Sequence, residues 1–89
     1  MNSSFDVLLR LSLKKVINAI DRHERNELAP LSIQVLIQIK KELEEMVSTM
    51  NPEVYKPGYP RFILDWPDED GLIEELVDVA YQYNNMKKS

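Results

Sequence analysis

The chain has 89 residues, a net charge of −4 and no cysteine, which predicts a single domain whose core is held by packing alone. Without cysteine, disulfides, thiolate metal sites and thiol catalysis are excluded, and a reducing cytoplasm is the favoured compartment. The acidic balance argues against nucleic acid as a partner, because binding a phosphate backbone needs Lys and Arg side chains that displace counterions.

Targeting and membrane signals are not evident. The opening stretch, MNSSFDVLLRLSLKK, lacks the basic start and the continuous apolar segment of a signal peptide. No apolar run approaches the roughly 20 residues that a membrane-spanning helix needs. We therefore predict a cytoplasmic protein with no membrane partner.

The first predicted helix covers about residues 5–24, where apolar side chains recur at helical spacing. Its main stripe comprises Phe5, Leu8, Leu9, Leu13, Val16, Ile17 and Ile20. Val7 and Leu11 lie one turn apart on a flank away from that stripe. His23, the only histidine, stands among charged residues and is predicted to be solvated at the helix end.

The second predicted helix covers about residues 29–49, with Pro30 in its first turn and Pro52 just beyond its end. Its main stripe comprises Leu31, Val35, Leu36, Ile39, Leu43, Met46, Val47 and Met50. Ile33 and Ile37 form a second apolar pair on its flank. The short connection predicts that the first two helices form an antiparallel hairpin.

The third predicted helix covers about residues 69–86, and acidic residues precede it where the helix dipole favours negative charge. Its apolar stripe comprises Leu72, Ile73, Leu76, Val77, Val79, Ala80 and Tyr83. The predicted fold is therefore an all-α domain of three helices, in which the hairpin and the third helix are joined by an arm of about residues 51–68.

The arm is rich in proline and aromatic residues, so we expect it to be ordered. Its segment RFILD is β-prone and bounded by prolines, which predicts an extended stretch or one short strand. Strict alternation along such a stretch places Phe62 and Leu64 inward and Ile63 outward. Trp66 is predicted to be largely buried between the helices.

Two roles for the arm remain open at this point. It can close the core as a lid, with Tyr59, Phe62, Leu64 and Trp66 turned inward. It can also form a binding surface, because aromatic residues around an arginine are typical of interface hot spots. The aromatic residues and the arginine concerned are Tyr55, Tyr59, Arg61, Phe62 and Trp66.

Two pairs of carboxylates stand at helical spacing in the stretches ELEEMV and EELVDVAYQY, namely Glu42 with Glu45 and Glu75 with Asp78. This pattern resembles the E-x-x-E and E-x-x-D motifs of the all-α nucleotide pyrophosphohydrolases, the MazG-like group. The resemblance implies that the four carboxylates hold Mg²⁺ for nucleotide hydrolysis. The position of Glu75 and Asp78 on the helical wheel favours a solvated helix surface instead.

We predict a non-catalytic module that binds a protein partner or itself, with no metal and no cofactor; a Mg²⁺-dependent hydrolase is the alternative. The flank pairs on the first two helices need a cover, which either the arm or a second chain can provide. A homodimer would explain both pairs. The predicted contact residues are Val7, Leu11, Ile33, Ile37, Tyr55, Tyr59, Arg61 and Ile63.

Overall fold

The computed structural model describes residues 3–29, 31–66 and 71–85, and within these residues the chain forms four helices and no strand. The helices are α1 (Ser3–Glu24), α2 (Ile33–Thr49), α3 (Pro60–Ile63) and α4 (Leu72–Asn84). Helix α1 packs against α2 and α4, and the one-turn helix α3 packs on α4. The predicted all-α class is confirmed, and α3 is an addition to the predicted helices. None of the helices in the described ranges has the length and apolar composition needed to cross a membrane.

The core is a single cluster of apolar side chains from α1, α2, α4 and the arm. The buried members on the three long helices are Phe5, Leu9, Val16, Ala19, Leu36, Ile39, Leu43, Met46, Leu72, Ile73, Leu76, Val79, Ala80 and Tyr83. The predicted stripes of α2 and α4 supply most of these residues. On α1 the buried face differs from the prediction, since Ser12 is fully buried and Ile17 keeps 43% of its surface exposed. Helix α1 turns this face inward because it packs against two helices at once.

Helix α1 ends as predicted at Glu24, in a Schellman motif. Asn26 adopts the left-handed conformation (φ 61°), and the N–H of Glu27 donates to the carbonyl oxygen of Arg22 at 2.8 Å. The chain therefore reverses immediately after α1, which brings α2 back along it as the antiparallel partner.

Helix α2 begins at Ile33, so the predicted start at residue 29 is wrong, and Pro30 lies outside the described residues. The helix starts there because Ser32 is its N-cap, with its Oγ accepting a hydrogen bond from the N–H of Val35 at 3.2 Å. Leu31, just before the cap, has a positive φ of 65°, which a helical residue cannot adopt.

The side chain of His23 stabilises this strained connection. Its Nε2 donates to the carbonyl oxygen of Leu31 at 2.8 Å, since a carbonyl can only accept, and the Leu31 side chain is buried in the core. His23 is half-buried. The prediction of a solvated histidine is therefore wrong, because the left-handed turn at Leu31 directs a carbonyl oxygen back toward α1.

Helix α4 begins at Leu72, directly after Gly71, whose φ of 76° is a conformation that strains any other residue type. The helix ends at Asn84. The predicted start, at about residue 69, lies in 67–70, and the predicted end, at about residue 86, lies in 86–89. Both ranges are outside the described residues. The end of α2 at Thr49 agrees with its predicted end, with Met50 in the left-handed conformation as its C-cap.

Candidate functional site

The arm is attached to α2 through the buried carboxylate of Glu42. Its Oε1 accepts hydrogen bonds from the backbone N–H groups of Gly58 at 2.7 Å and Tyr59 at 2.8 Å. Its Oε2 accepts a hydrogen bond from Nε2 of Gln38 at 2.8 Å. The charged stretch KKELEE predicts a solvated surface for this half of the helix, and that prediction is wrong for Glu42, of which only 7% is exposed. The three N–H donors compensate for the removal of this charge from water.

Two tyrosine hydroxyls attach the arm to α4. The hydroxyl of Tyr59 donates to the carbonyl oxygen of Leu76 at 2.7 Å, and the hydroxyl of Tyr83 accepts from the N–H of Asn51 at 3.2 Å. Tyr59 is fully buried, and this burial raises the pKa of its phenol, with a further contribution from the negative charge of Glu42. The arm is therefore held at Asn51 and again at Tyr59.

The segment after Tyr59 is helical, so the predicted extended stretch is wrong. Tyr59 and Ile63, four positions apart, lie on the same face and are both fully buried. Phe62, Leu64 and Trp66 keep 38%, 64% and 38% of their surface exposed. The predictions that Ile63 points outward and that Trp66 is largely buried are also wrong, because a helical period replaces the alternation of a strand.

The exposed apolar residues of this segment and its arginine, which we call the arm outer face, are Arg61, Phe62, Leu64 and Trp66; Asp65 is exposed between the last two. Within the described ranges, Arg61 has no ion-pair partner. Large aromatic side chains around an arginine are the residue types that dominate binding energy at protein interfaces.

The predicted contact residues of the arm divide into accessible and inaccessible ones. Arg61 is exposed and Tyr55 is half-buried. Tyr59 and Ile63 are fully buried, so no partner can reach them in the folded chain. The sequence contains a signal for this division, since Tyr59 and Ile63 stand at helical spacing.

The predicted flank pairs on the hairpin remain largely uncovered. Val7 and Leu11 keep 54% and 50% of their surface exposed, Ile37 keeps 43%, and Ile33 is half-buried. The two pairs lie at different positions along the hairpin. Ile33 and Ile37 lie beside the α1–α2 connection, whereas Leu11 lies about 18 Å farther along α1 than His23, at a rise of about 1.5 Å per residue.

A groove of about 630 Å³ runs along the outer side of α1. Among the residues that the structure describes, those lining it are Leu11, Lys14, Lys15, Ile17, Asn18, Ile20, Asp21 and Glu24. Sequence reasoning missed this groove because it assigned Ile17 to the core, as one of the apolar residues at helical spacing. We call these eight residues the α1 groove.

The carboxylates that resemble a metal-binding motif make separate contacts. Glu75 contacts α1, where its Oε2 accepts from Oγ of Ser12 at 2.8 Å and its Oε1 accepts from Nζ of Lys15 at 2.7 Å. Asp78 accepts instead from Nε2 of Gln82 at 2.9 Å on its own helix. Among the described residues, no group of three or more His, Asp or Glu side chains could hold a metal ion.

The position of Glu75 on the helical wheel predicts a solvated helix surface. In the structure its side chain also contacts α1. Partial burial by itself raises the pKa of its carboxyl group. The hydrogen bonds from Lys15 and Ser12 and the charge of Lys15 outweigh this effect, so the pKa is lowered. Glu75 thus joins α1 to α4 as a charged side chain.

Three features of the described residues are candidates for function: the arm outer face, the α1 groove and the carboxylates. Comparison of the chain with protein-family models, curated proteins and solved structures finds no match. Of the three features, the first two present exposed apolar side chains.

Proposed function

We propose that this protein is a non-catalytic protein-interaction module that binds a protein partner through the arm outer face. The observation that supports this function is that Phe62, Leu64 and Trp66 stay exposed on a segment whose backbone is firmly attached to the rest of the fold. Isolated exposed apolar residues are normal on protein surfaces. Three large ones within five consecutive positions form a local patch of the kind that marks interaction sites.

The attachment of the arm favours tight binding. A flexible segment must be ordered on binding, which costs free energy, whereas an ordered segment avoids much of that cost. The hydrogen bonds from Gly58 and Tyr59 to Glu42, and from Tyr59 to Leu76, hold the backbone that carries the arm outer face. Phe62 and Trp66 each keep 38% of their surface, and Leu64 keeps 64%, for a partner to cover. The arm outer face is thus preorganised for a partner.

The amino-acid composition of the chain supports a proposal about the class of partner and the compartment in which both proteins work. A net charge of −4 favours a protein over a nucleic acid, and a core stabilised without cysteine fits the cytoplasm. We propose that both the module and its partner are cytoplasmic proteins. In this proposal the arm has both predicted roles, because its inner face completes the core while its outer face binds.

The experiment compares three immobilised forms of the protein as bait in a cell extract. They are the wild type, the double variant Phe62→Asp with Leu64→Asp, and the control variant Tyr81→Asp. Tyr81 keeps 67% of its surface exposed on α4, which makes it a matched aromatic position away from the arm. We expect the wild type and the control to retain the same protein and the double variant to lose it. Circular dichroism establishes that both variants are folded.

The purified partner then gives a direct readout, because Trp66 is the only tryptophan of the chain. Binding at the arm outer face removes water from its indole ring, so its fluorescence emission should shift to shorter wavelength during the titration. A partner that binds the double variant as well as the wild type, or that leaves the emission of Trp66 unchanged, contradicts the proposal.

A further inference from the structure

The α1 groove is a second surface, separate from the arm outer face. Lys14, Ile17, Asp21 and Glu24 recur at spacings of three, four and three residues, so they form one stripe along α1. Leu11 and Ile17 are exposed in the groove, at 50% and 43% of their surface. This stripe lies on the exposed side of α1, with Lys14 at one end, Ile17 beside it, and Asp21 and Glu24 toward the other end.

Some charged residues of the α1 groove form ion pairs within the chain, and others do not. Lys15 pairs with Glu75 at 2.7 Å, and Asp21 pairs with Arg25 at 3.1 Å. Lys14 and Glu24 form no ion pair with any residue in the described ranges. They stand ten positions apart on one helix, which is about 15 Å, so they are too far apart to pair with each other.

Opposite charges at the two ends of one stripe are complementary to a copy of the same stripe that runs in the opposite direction. A two-fold axis through the midpoint of Lys14 and Glu24 passes α1 at Ala19, and Ile17 and Ile20 lie on either side of that point. Rotation about this axis places each Lys14 opposite a Glu24 and each Ile17 opposite an Asp21 of the other copy, with Ile20 of that copy one position away. The two helix dipoles are then antiparallel, which is also favourable.

We propose that the α1 groove binds a second copy of this chain, with the two α1 helices antiparallel and Lys14 paired to Glu24 of the partner subunit. The interface is isologous, because the same stripe serves both copies. It goes beyond the proposed function and does not depend on it, since the arm outer face takes no part. A contact of one helix on one helix belongs to the small, transient class of interfaces, so the dimer dissociates at low concentration.

Charge reversal tests the pairing directly. Sedimentation equilibrium should show the wild type in a monomer–dimer equilibrium with a dissociation constant on the order of 100 µM, within a loading range that extends to about 1 mM. Lys14→Glu alone and Glu24→Lys alone each place like charges opposite one another at both ends, and each should weaken the dimer by about tenfold or more. The double variant restores opposite charges and should return the affinity to within about threefold of the wild type.

Two controls make the result specific. Lys41→Glu reverses an exposed charge on α2 away from the groove and should leave the dimer unchanged. Phe62→Asp with Leu64→Asp, which tests the arm, should also leave it unchanged. Circular dichroism separates weakened association from loss of fold.

Several outcomes overturn the dimer. They are a wild type that stays monomeric over the whole concentration range, a double variant that fails to regain affinity, and a Lys41→Glu variant that weakens association as much as Lys14→Glu. None of these outcomes bears on capture of a partner by the arm, so the two proposals fail separately.

Discussion

The carboxylate of Glu42 and the backbone N–H of Tyr59 are joined by a hydrogen bond of 2.8 Å across 17 positions of the chain. This contact makes the arm a part of the fold. Behind it, Tyr59 lies fully buried and donates its own hydroxyl to Leu76 on α4. Two of the three donors to the buried charge are present only while the arm is in place, which couples the position of the arm to the stability of the domain.

Replacing Glu42 with Gln should destabilise the domain by about 2 kcal/mol. The amide keeps one acceptor oxygen but loses the negative charge, and its NH₂ group cannot accept from Gly58, Tyr59 or Gln38. Urea denaturation measures the change. Glu45→Gln is the matched control, because Glu45 is exposed on the same helix, and its cost should stay below about 0.5 kcal/mol. Equal costs for the two variants would show that the Glu42 contact adds nothing.

Ile63 and Leu64 form a natural pair for testing which face of the arm points inward. They are neighbours of the same size, yet Ile63 is fully buried and Leu64 is 64% exposed. Ile63→Ala should cost about 2–4 kcal/mol, and Leu64→Ala should cost less than about 1 kcal/mol. The same denaturation experiment compares them. An extended arm predicts the reverse order, so a larger cost at Leu64 contradicts the helical turn.

The buried phenol of Tyr59 should resist ionisation at alkaline pH. Burial raises its pKa in the folded chain, so it adds stability below the ordinary phenol value of about 10, and this stability is lost as pH rises through the folded pKa. Ultraviolet titration of the wild type and of Tyr59→Phe measures phenolate formation. Near pH 10 the folded proteins should give the same signal, whereas in urea at the same pH the variant should lack about half a phenolate. A difference between the folded proteins near pH 10 would mean that Tyr59 is accessible to water.

Because Glu75 contacts α1, the stability of the domain should depend on pH in the acidic range. Its pKa is lowered in the folded chain, so the charged form adds stability above the ordinary carboxyl range, and this stability is lost as pH falls through the folded pKa. Glu75→Gln should therefore cost stability at neutral pH and progressively less below about pH 4. Thermal unfolding across this pH range measures the difference. Asp78→Asn, at an exposed position of α4, serves as the control and should show a small effect throughout.

The hydrolase alternative requires these carboxylates to bind a metal ion. Glu42 and Glu75 already hold hydrogen bonds to the arm and to α1, so a metal ion would have to displace those donors. We expect isothermal titration with Mg²⁺ or Mn²⁺ to show no specific site and nucleoside triphosphates to stay intact. Saturable binding that Glu42→Gln or Asp78→Asn abolishes would favour the hydrolase.

The helices were predictable because their apolar residues follow one period over many positions. Leu36, Ile39, Leu43 and Met46 repeat the helical spacing across α2, and all four are buried as predicted. The arm was not predictable in the same way. A stretch as short as RFILD fits both a strand and a helical turn, and its local preference for extended structure was overridden by tertiary contacts.

Local sequence by itself determined the all-α class, the apolar faces of α2 and α4, and the end of α2 before Pro52, because spacing and backbone chemistry act between near neighbours. Only the tertiary structure decided which polar residues are buried. Glu42 receives two of its three donors from 16 and 17 positions away, and Ser12 meets Glu75 across 63 positions. The free energy of burying a polar group depends on whether a partner reaches it, and that partner comes from a segment that no local pattern can identify.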